Sequence, residues 1–227
     1  MINDQDITLL IPAKKEKESL SFVLTELKKY DYKVLIVMEQ NDLETYDVAK
    51  KFSYSIDFQI NNRGYGSAII QGLNKITTNY VCIFNADGSF NPNEITNMKK
   101  AMVDNFDFIF GSRYLNSGSG SDDDSFLTLI GNKFFTFLGN FLFKLNISDI
   151  LYTYILGKTE KFKKLALNSS DFRLCVEIPI KAKANNNKIS DISCYERKRY
   201  AGKKKVNEFR DGFLILLFII KSLFRKV

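Results

Sequence analysis

Histidine is absent from the 227 residues of the chain. Histidine is the side chain that most often serves as a general base near neutral pH. Its absence therefore excludes a Ser-His-Asp triad and any zinc site built on imidazole. Any catalysis must rely on carboxylates, lysines, arginines or groups that the substrate itself brings.

Cysteine is scarce, and Cys82, Cys175 and Cys194 are scattered along the chain without a CxxC pair. This usage argues for a reducing compartment and against structural zinc. Residues 1–6 lack the basic start and the apolar stretch that are typical of a secretory signal peptide. We therefore expect a cytoplasmic protein, and we expect Cys82, which lies in an apolar run, to be part of the core.

A long hydrophobic run is lacking at the C-terminus. The apolar run 212–220 is well short of the roughly 20 residues that a helix needs to span a bilayer. Across 209–225 apolar residues recur at helical spacing, with the basic residues Arg210, Lys221, Arg225 and Lys226 among and after them. The pattern predicts a domain over 1–206 and an amphipathic helix over 207–227 that lies in the membrane interface. A buried helix or a dimer contact is the alternative.

The formal net charge is +7. Such a charge favours anionic partners, namely phosphates, acidic lipids or nucleic acid, but a solvated lysine-rich surface gives the same value. The basic stretch 197–205 belongs to no recognised nucleic-acid-binding module, so we predict that nucleic acid is not a partner.

Strand-like and helix-like segments alternate through the first half of the chain. This alternation predicts an α/β fold with a mostly parallel sheet covered on both faces, which binds ligands beyond the carboxyl ends of its strands. The predicted strands are 7–11, 33–37, 58–60, 80–84 and 108–110, and the predicted helices are 19–30, 42–52, 66–76 and 91–105. They are followed by predicted helices over 126–143, 175–185 and 209–225 and a predicted strand over 189–195.

A polar segment, 114–125, interrupts the alternation with alternating serine and glycine followed by Asp122, Asp123 and Asp124. Its composition predicts a flexible loop, which is either an active-site lid or a plain surface loop. Three consecutive aspartates on such a loop are more often solvated than bound to a metal.

Asp87 follows the apolar strand 80–84 almost directly. It is therefore expected at the carboxyl edge of the sheet, where a divalent cation could bridge its carboxylate and a diphosphate. The alternative for an aspartate in this position is a turn or a helix cap.

Five segments match one family in order and spacing. They are the first strand with Pro12, Ala13 and Glu16, the glycine turn Asn62-Arg63-Gly64-Tyr65-Gly66, the strand end Asn85-Ala86-Asp87, the segment Gly111-Ser112-Arg113-Tyr114, and the basic segment from Arg199 to Val206. Together they resemble glycosyltransferase family 2, and within it the dolichol-phosphate-mannose synthase group. The resemblance covers residues 7 to about 206.

The resemblance implies a single-domain, Rossmann-like fold of the GT-A type and an inverting transfer of sugar from a nucleotide diphosphate sugar to a polyprenyl phosphate on the cytoplasmic membrane face. It implies Mg²⁺ or Mn²⁺ held by Asp87, with Asn85 and Ser89 as weaker or water-mediated helpers. The implied catalytic residues are Asp87, Arg113, Arg199 and Lys205, of which the three cations meet phosphate groups. The implied nucleotide-sugar site consists of Pro12, Ala13, Glu16, Glu39, Gly64, Asn85, Ala86 and Asp87.

The chain also departs from the family pattern. Asn85 replaces the first acid of the family's Asp-x-Asp motif, and residues 38–41 retain only Glu39 of a second acidic motif. Two alternatives stay open. One is transfer to a sugar hydroxyl with Asp149 as general base, and the other is a nucleotide-sugar-binding protein without activity. A lipid phosphate is anionic at neutral pH and needs no protein base, which agrees with the absence of histidine.

Overall fold

The computed structural model describes residues 2–60, 64–202 and 204–224. Its larger sheet contains β1 Ile7–Ala13, β2 Lys33–Met38, β3 Ser55–Phe58, β4 Tyr80–Ile83, β5 Phe108–Ser112, β7 Ile155–Lys158 and β8 Ile189–Ser193. Two short strands, β6 Gly120–Ser121 and β9 Tyr195–Glu196, form a second sheet. The helices are α1 Lys17–Leu27, α2 Leu43–Ala49, α3 Tyr65–Lys75, α4 Glu94–Met102, α5 Phe126–Phe143, α6 Thr159–Lys164, α7 Leu174–Ala184 and α8 Glu208–Phe224.

The larger sheet has the strand order β3-β2-β1-β4-β7-β5-β8. Strands β1 to β4 pair in parallel, as do β5 and β8, whereas β7 runs antiparallel to both of its neighbours. The predicted α/β class with a mostly parallel sheet is confirmed.

Both faces of the sheet are buried, because the central strands are apolar along most of their length and successive side chains point to opposite faces. Leu9 and Ile11 of β1 face the cluster that includes α1, α2 and α4, together with the buried Cys82. Leu10 faces the other cluster, to which α3, α5, α6, α7 and α8 contribute. The carboxyl ends of β1 and β4 are left open at one edge, and the polar residues that follow them meet there.

Four elements differ from the predictions. The third strand is Ser55–Phe58 rather than 58–60. It pairs in parallel with β2 at the edge of the sheet, where a half-polar sequence that lacks an apolar run can form a strand. Strand β7 and helix α6 were not predicted. The predicted strand 189–195 is interrupted at Cys194, where the chain passes from one sheet to the other.

The C-terminal helix α8 buries Ile215 and Ile219 against the rest of the protein and packs against α5. The division of the chain at residue 206 stays a prediction. Arg225 and Lys226, expected at lipid headgroups, lie outside the described residues.

Candidate active site

A cleft of about 670 Å³ lies at the carboxyl ends of β1 and β4. Its polar part contains most of the predicted nucleotide-sugar residues, because the loops after parallel strands open at the same edge of a sheet. These are Pro12, Ala13, Glu16, Gly64, Asn85, Ala86 and Asp87. Arg113, Arg199 and Lys205 line the same cleft. Asn62, Arg63 and Lys203, which belong to the matched segments, lie outside the described residues.

Asp87 is oriented by the turn that follows β4. Its Oδ1 accepts hydrogen bonds from the backbone N–H of Ser89 at 3.0 Å and from the Ser89 hydroxyl at 2.8 Å. Ser89 is buried and does not line the cleft. Ser89 thus orients Asp87 from outside the cleft, and its part as a weaker or water-mediated helper in cation binding stays a prediction.

The segment 197–202 folds across this turn. The ring of Tyr200 stacks on Phe22 with centroids 4.4 Å apart, and its backbone N–H donates to the carbonyl of Asp87 at 2.8 Å. Gly88 has φ +84°, and a Cβ there would lie 3.0 Å from the Cβ of Tyr200. A side chain at position 88 would therefore meet both backbone strain and the covering segment.

Arg199 connects Asp87 to the acidic loop. Its guanidinium donates to both carboxylate oxygens of Asp123, at 3.2 and 2.6 Å, and lies 3.6 Å from Oδ2 of Asp87. Burial opposes the charge, but the bond to Asp123 and the charge of Asp87 together raise the pKa of Arg199. A permanent cation thus lies beside the strand-end carboxylate.

Lys205 also lines the cleft, and it follows Arg199 in the chain after a turn at Gly202. Gly202 has φ +84°. Its ammonium pairs with Glu16 rather than with the partners of Arg199. Burial, together with the nearby charge of Lys14, lowers the pKa of Lys205 to about 8. Arg199 and Lys205, two of the three cations predicted to bind phosphate, thus share a cleft, and each is held by a different carboxylate.

Glu16 and Glu39 are both buried acids. Glu16 accepts a hydrogen bond from Ser19 Oγ at 2.6 Å, and its backbone N–H donates to Thr45 at 2.9 Å. Glu39 pairs with Lys14 at 2.6 Å and lines a smaller neighbouring cavity that it shares with Glu16. Glu39 is thus adjacent to the main cleft and does not line it.

Arg113 does not have the environment expected of a phosphate ligand. Its side chain is 7% exposed and donates to Asp149, Asp124 and Glu196 at 2.7 to 3.1 Å. Its guanidinium also lies over the ring of Tyr152, with 4.6 Å to the centroid. Because Nε, Nη1 and Nη2 all have carboxylate partners, the arginine organises the wall of the cleft.

Asp149 is likewise unsuited to the role of general base in the alternative hydroxyl reaction. Its side chain is fully buried and accepts from Arg113 and from Asn132 Nδ2, the latter at 2.5 Å. It does not line the cleft. A general base must reach the proton that it takes, and a carboxylate held by an arginine outside the cleft does not reach a substrate bound within it.

The three aspartates of the 114–125 segment are not simply solvated, which corrects the expectation for a free loop. Asp122 accepts from the Tyr195 hydroxyl at 2.7 Å, Asp123 binds Arg199, and Asp124 binds Arg113 and Tyr114. The pairing of β6 with β9 fastens the loop to the segment before residue 197. These partners lie far from the aspartates in sequence or on other elements, so the local sequence pattern does not reveal them.

Tyr152 is a cleft residue that the sequence did not single out. Its hydroxyl is buried, and it has no hydrogen-bond partner within the described residues. Burial raises the pKa of Tyr152, so the group stays protonated and able to donate. A buried hydroxyl without a partner at the wall of a cleft is suited to bind a polar group of a ligand.

We expect Tyr152→Phe to lower kcat/KM about 2- to 10-fold, corresponding to one hydrogen bond to bound ligand. The melting temperature should stay unchanged or rise, because the variant removes an unsatisfied buried hydroxyl. Parallel kinetics and thermal unfolding check both parts. A lowered melting temperature with unchanged kinetics would show that the hydroxyl serves only the fold.

The end of the cleft formed by α5 and α8 is mainly apolar, although Thr128, Asn132, Glu208 and Asp211 also line it. Helix α5 contributes Leu127, Gly131 and Phe135, and helix α8 contributes Phe209, Gly212 and Ile215. A Cβ added at Gly131 would meet nothing within 4 Å. The cleft therefore joins a charged end at the sheet edge to a mainly apolar end between two helices.

The described part of the chain holds no group of three or more histidine, cysteine, aspartate or glutamate side chains placed to bind a metal. Asp87 is the one carboxylate of the predicted cation site, and Asn85 also lines the cleft there. Mg²⁺ is commonly held by one or two carboxylates together with phosphate oxygens of the substrate. This donor set fits such a cation when a diphosphate is bound with it.

Residues 8–166 match the family model described as glycosyl transferase family 2. An uncharacterised protein of Methanocaldococcus jannaschii is 27% identical over 202 residues, covering 84% of this chain and 81% of the relative. The glycosyltransferase AglJ of Haloferax volcanii is 21% identical over 214 residues, covering 93% of this chain and 70% of the relative.

Solved structures resemble the fold over nearly the whole chain. The glucosyl-3-phosphoglycerate synthase of Mycobacterium tuberculosis, solved with Mn²⁺, UDP and glucosyl-3-phosphoglycerate, gives a TM-score of 0.73 at 12% identity and covers 96% of this chain and 79% of its own. The mannosyl-3-phosphoglycerate synthase of Rubrobacter xylanophilus gives 0.68 at 13% identity, with coverage of 96% and 73%. At these identities the likeness shows the fold, and it confirms the predicted GT-A architecture.

Proposed function

Because the chain belongs to glycosyl transferase family 2, we propose that this glycosyltransferase moves a sugar from a nucleotide diphosphate sugar to a polyprenyl phosphate at the cytoplasmic face of a membrane. The observation that carries the proposal is the two-ended cleft. It offers cations and a carboxylate at one end and an apolar passage between α5 and α8 at the other. An acceptor with an anionic head and a hydrocarbon chain matches both ends.

The donor would occupy the sheet edge beside Pro12, Ala13 and Asp87. Glu16 and Glu39 lie in or next to this part of the cleft and would contact the nucleoside. Mg²⁺ or Mn²⁺ would be held by Asp87 with Asn85 nearby, and when bound it supplies positive charge against the leaving diphosphate. Ser89 keeps the Asp87 carboxylate oriented towards this position.

The acceptor phosphate would bind at Arg199 and Lys205. Their present partners, Asp123 and Glu16, hold both cations in the cleft until an anion arrives. A phosphate is anionic at neutral pH and attacks the anomeric carbon without a protein base. One displacement of the nucleoside diphosphate inverts the configuration at that carbon.

A small phosphorylated acid is the second candidate acceptor. Two structural neighbours are named as synthases of glucosyl- or mannosyl-3-phosphoglycerate, and the same cations would bind such an acid. Transfer to an uncharged sugar hydroxyl is less favoured, because Asp149 is occupied by Arg113 and Asn132. A protein without activity would bind the donor and transfer to none of these acceptors.

An acceptor panel tests the proposal. Release of nucleoside diphosphate is measured with a short-chain polyprenyl phosphate, the corresponding alcohol and 3-phosphoglycerate, over several sugar nucleotides. The proposal predicts acceptor-dependent release with the polyprenyl phosphate alone. Release with 3-phosphoglycerate in place of the lipid would identify the second candidate, and donor binding without any release would identify an inactive protein.

We expect Arg199→Lys to raise the acceptor concentration needed for half-saturation about tenfold, because the two-pronged guanidinium contact is lost while the charge remains. Donor affinity should change little. Acceptor titration at fixed donor, with nucleotide binding measured separately, checks this. Lys198→Arg is the control, since it alters a neighbouring cation that does not line the cleft. Unchanged acceptor saturation in both Arg199→Lys and Arg199→Ala would move the acceptor site elsewhere.

A further inference from the structure

Helix α5 presents a row of large apolar side chains to solvent. The row is spaced by three or four residues along one side of the helix and comprises Phe126, Ile130, Phe134, Phe137 and Phe141. Their exposed fractions range from 48% to 78%. Exposed apolar residues at helical spacing indicate a face that meets an apolar partner.

Helix α8 extends this surface. It packs against α5 and exposes Phe209, Phe213, Ile220, Leu223 and Phe224. We call the outward sides of these two helices, formed by the two sets of exposed residues, the docking face. The apolar end of the cleft is lined by the same helices, so the docking face adjoins the cleft.

The opposite side of α5 is fixed to the protein. Asn132 donates to the buried Asp149, and the Thr136 hydroxyl both donates to Asn132 and accepts from the backbone of Ile150. In the described residues, Phe126–Phe143 is one helix whose length and composition would suffice to cross a membrane, with a mean hydropathy of 1.3. Crossing would break these polar contacts and leave Asp149 without one partner, so α5 is suited to lie on a bilayer rather than through it.

The charges on the docking face identify the partner. Helix α5 has no acidic residue, and its exposed charge is Lys133, while α8 exposes Arg210 and Lys221. The two acids of α8 lie in its first turn, where Glu208 pairs with Lys204 and Asp211 accepts from the backbone N–H of Asn207. Apolar rings bordered by lysine and arginine complement an anionic lipid surface, whose headgroups attract the cations while the rings enter the acyl region.

We propose that α5 and α8 form one docking face for an anionic bilayer, with both helices lying in the plane of the interface. This arrangement opens the apolar end of the cleft towards the lipid. The inference deepens the proposed function, on whose membrane location it rests, and it names the surface that would meet the lipid whichever acceptor is used.

Vesicle co-sedimentation tests the docking face. Phe137→Ser combined with Phe141→Ser removes two exposed rings from α5, and we expect at least a tenfold loss of binding to phosphatidylglycerol vesicles. Leu43→Ser combined with Val103→Ser is the matched control, since these side chains are equally exposed on other elements, and its binding should equal that of the parent. Circular dichroism confirms that each variant is folded. Vesicles of phosphatidylcholine alone should bind the parent more weakly.

A fluorescence experiment distinguishes an α5 helix that lies in the plane of the bilayer interface from one that crosses the bilayer. The chain has no tryptophan, so Phe134→Trp, in the middle of α5, carries a single reporter, with Leu43→Trp as the control. We expect vesicles to shift the emission of the Phe134→Trp protein to the blue. Lipids brominated near the headgroup should quench it more than lipids brominated near the chain ends. Strongest quenching from the chain ends would show that α5 crosses the bilayer and would overturn the in-plane arrangement.

Two results would overturn the docking face itself. One is equal vesicle binding by the Phe137→Ser/Phe141→Ser variant and the parent. The other is a parent dimer that fails to bind vesicles and dissociates in this variant, which would identify a second copy of the chain as the partner. Transfer to a water-soluble short-chain phosphate is measured on the same samples. Retained transfer with lost vesicle binding separates this surface from the proposed reaction.

Discussion

Asp87→Asn is expected to lower kcat/KM for sugar transfer by about 10²- to 10³-fold, the usual cost of removing one preorganised electrostatic contact to a transition state. The substitution keeps the size of the side chain and removes its charge. Asp87 is the carboxylate in the cleft that is both oriented by Ser89 and close to Arg199. Its loss removes the anchor for a cation and one of the two acidic partners of Arg199, which keeps Asp123.

Two measurements accompany the kinetics of Asp87→Asn. Binding of Mn²⁺ in the presence of nucleoside diphosphate, followed by electron paramagnetic resonance, should weaken at least tenfold. Ser89→Ala keeps the charge and loses the orienting hydroxyl, so its activity should fall much less. Activity of Asp87→Asn within threefold of the parent would exclude this residue from the reaction.

Arg113→Met is expected to lower the free energy of unfolding by about 3–5 kcal/mol, because removing one partner of a buried ion pair leaves an uncompensated charge. Three carboxylates lose a partner at once, and Asp149 among them is fully buried. Arg173→Met is the matched control. Its pair with Asp171 is about one-third exposed, so the loss should be below about 1 kcal/mol.

The loss of unfolding free energy caused by Arg113→Met should also depend on pH. Burial raises the pKa of Glu196, and the charge of Arg113 opposes that rise. Without the arginine, the pKa of Glu196 in the folded protein rises further above its value in the unfolded chain. The folded protein therefore loses stability as the pH rises from the unfolded towards the folded pKa of Glu196. Chemical denaturation should therefore give a larger deficit at pH 8 than at pH 5. A deficit below 1 kcal/mol at both values would contradict the structural role of Arg113.

The strands and the first part of the cleft could be predicted because their signals are local. The apolar run of β1 reaches Pro12, the run 80–84 that contains β4 is followed within three residues by Asp87, and parallel pairing brings such strand ends together. Strand β7 was missed because it is short, continues directly into α6, and is fixed by antiparallel pairing with two distant strands.

The wall of the cleft could not be predicted, because its contacts join residues far apart in sequence. Arg113 meets carboxylates at positions 124, 149 and 196, and Arg199 meets Asp123 and Asp87. Each of these residues is compatible with a solvated surface when its neighbours in sequence are considered alone. Their roles follow from the folding of segments 114–125 and 195–202 onto one another.

The product of the reaction tests the central claim most directly. The protein is incubated with a panel of isotopically labelled sugar nucleotides and a short-chain polyprenyl phosphate, and the lipid fraction is analysed by mass spectrometry and by the NMR coupling at the anomeric carbon. Our account predicts a labelled sugar joined through phosphate to the lipid, with the anomeric configuration opposite to that of the donor. Label recovered only in a water-soluble product, or a lipid product of retained configuration, would contradict it.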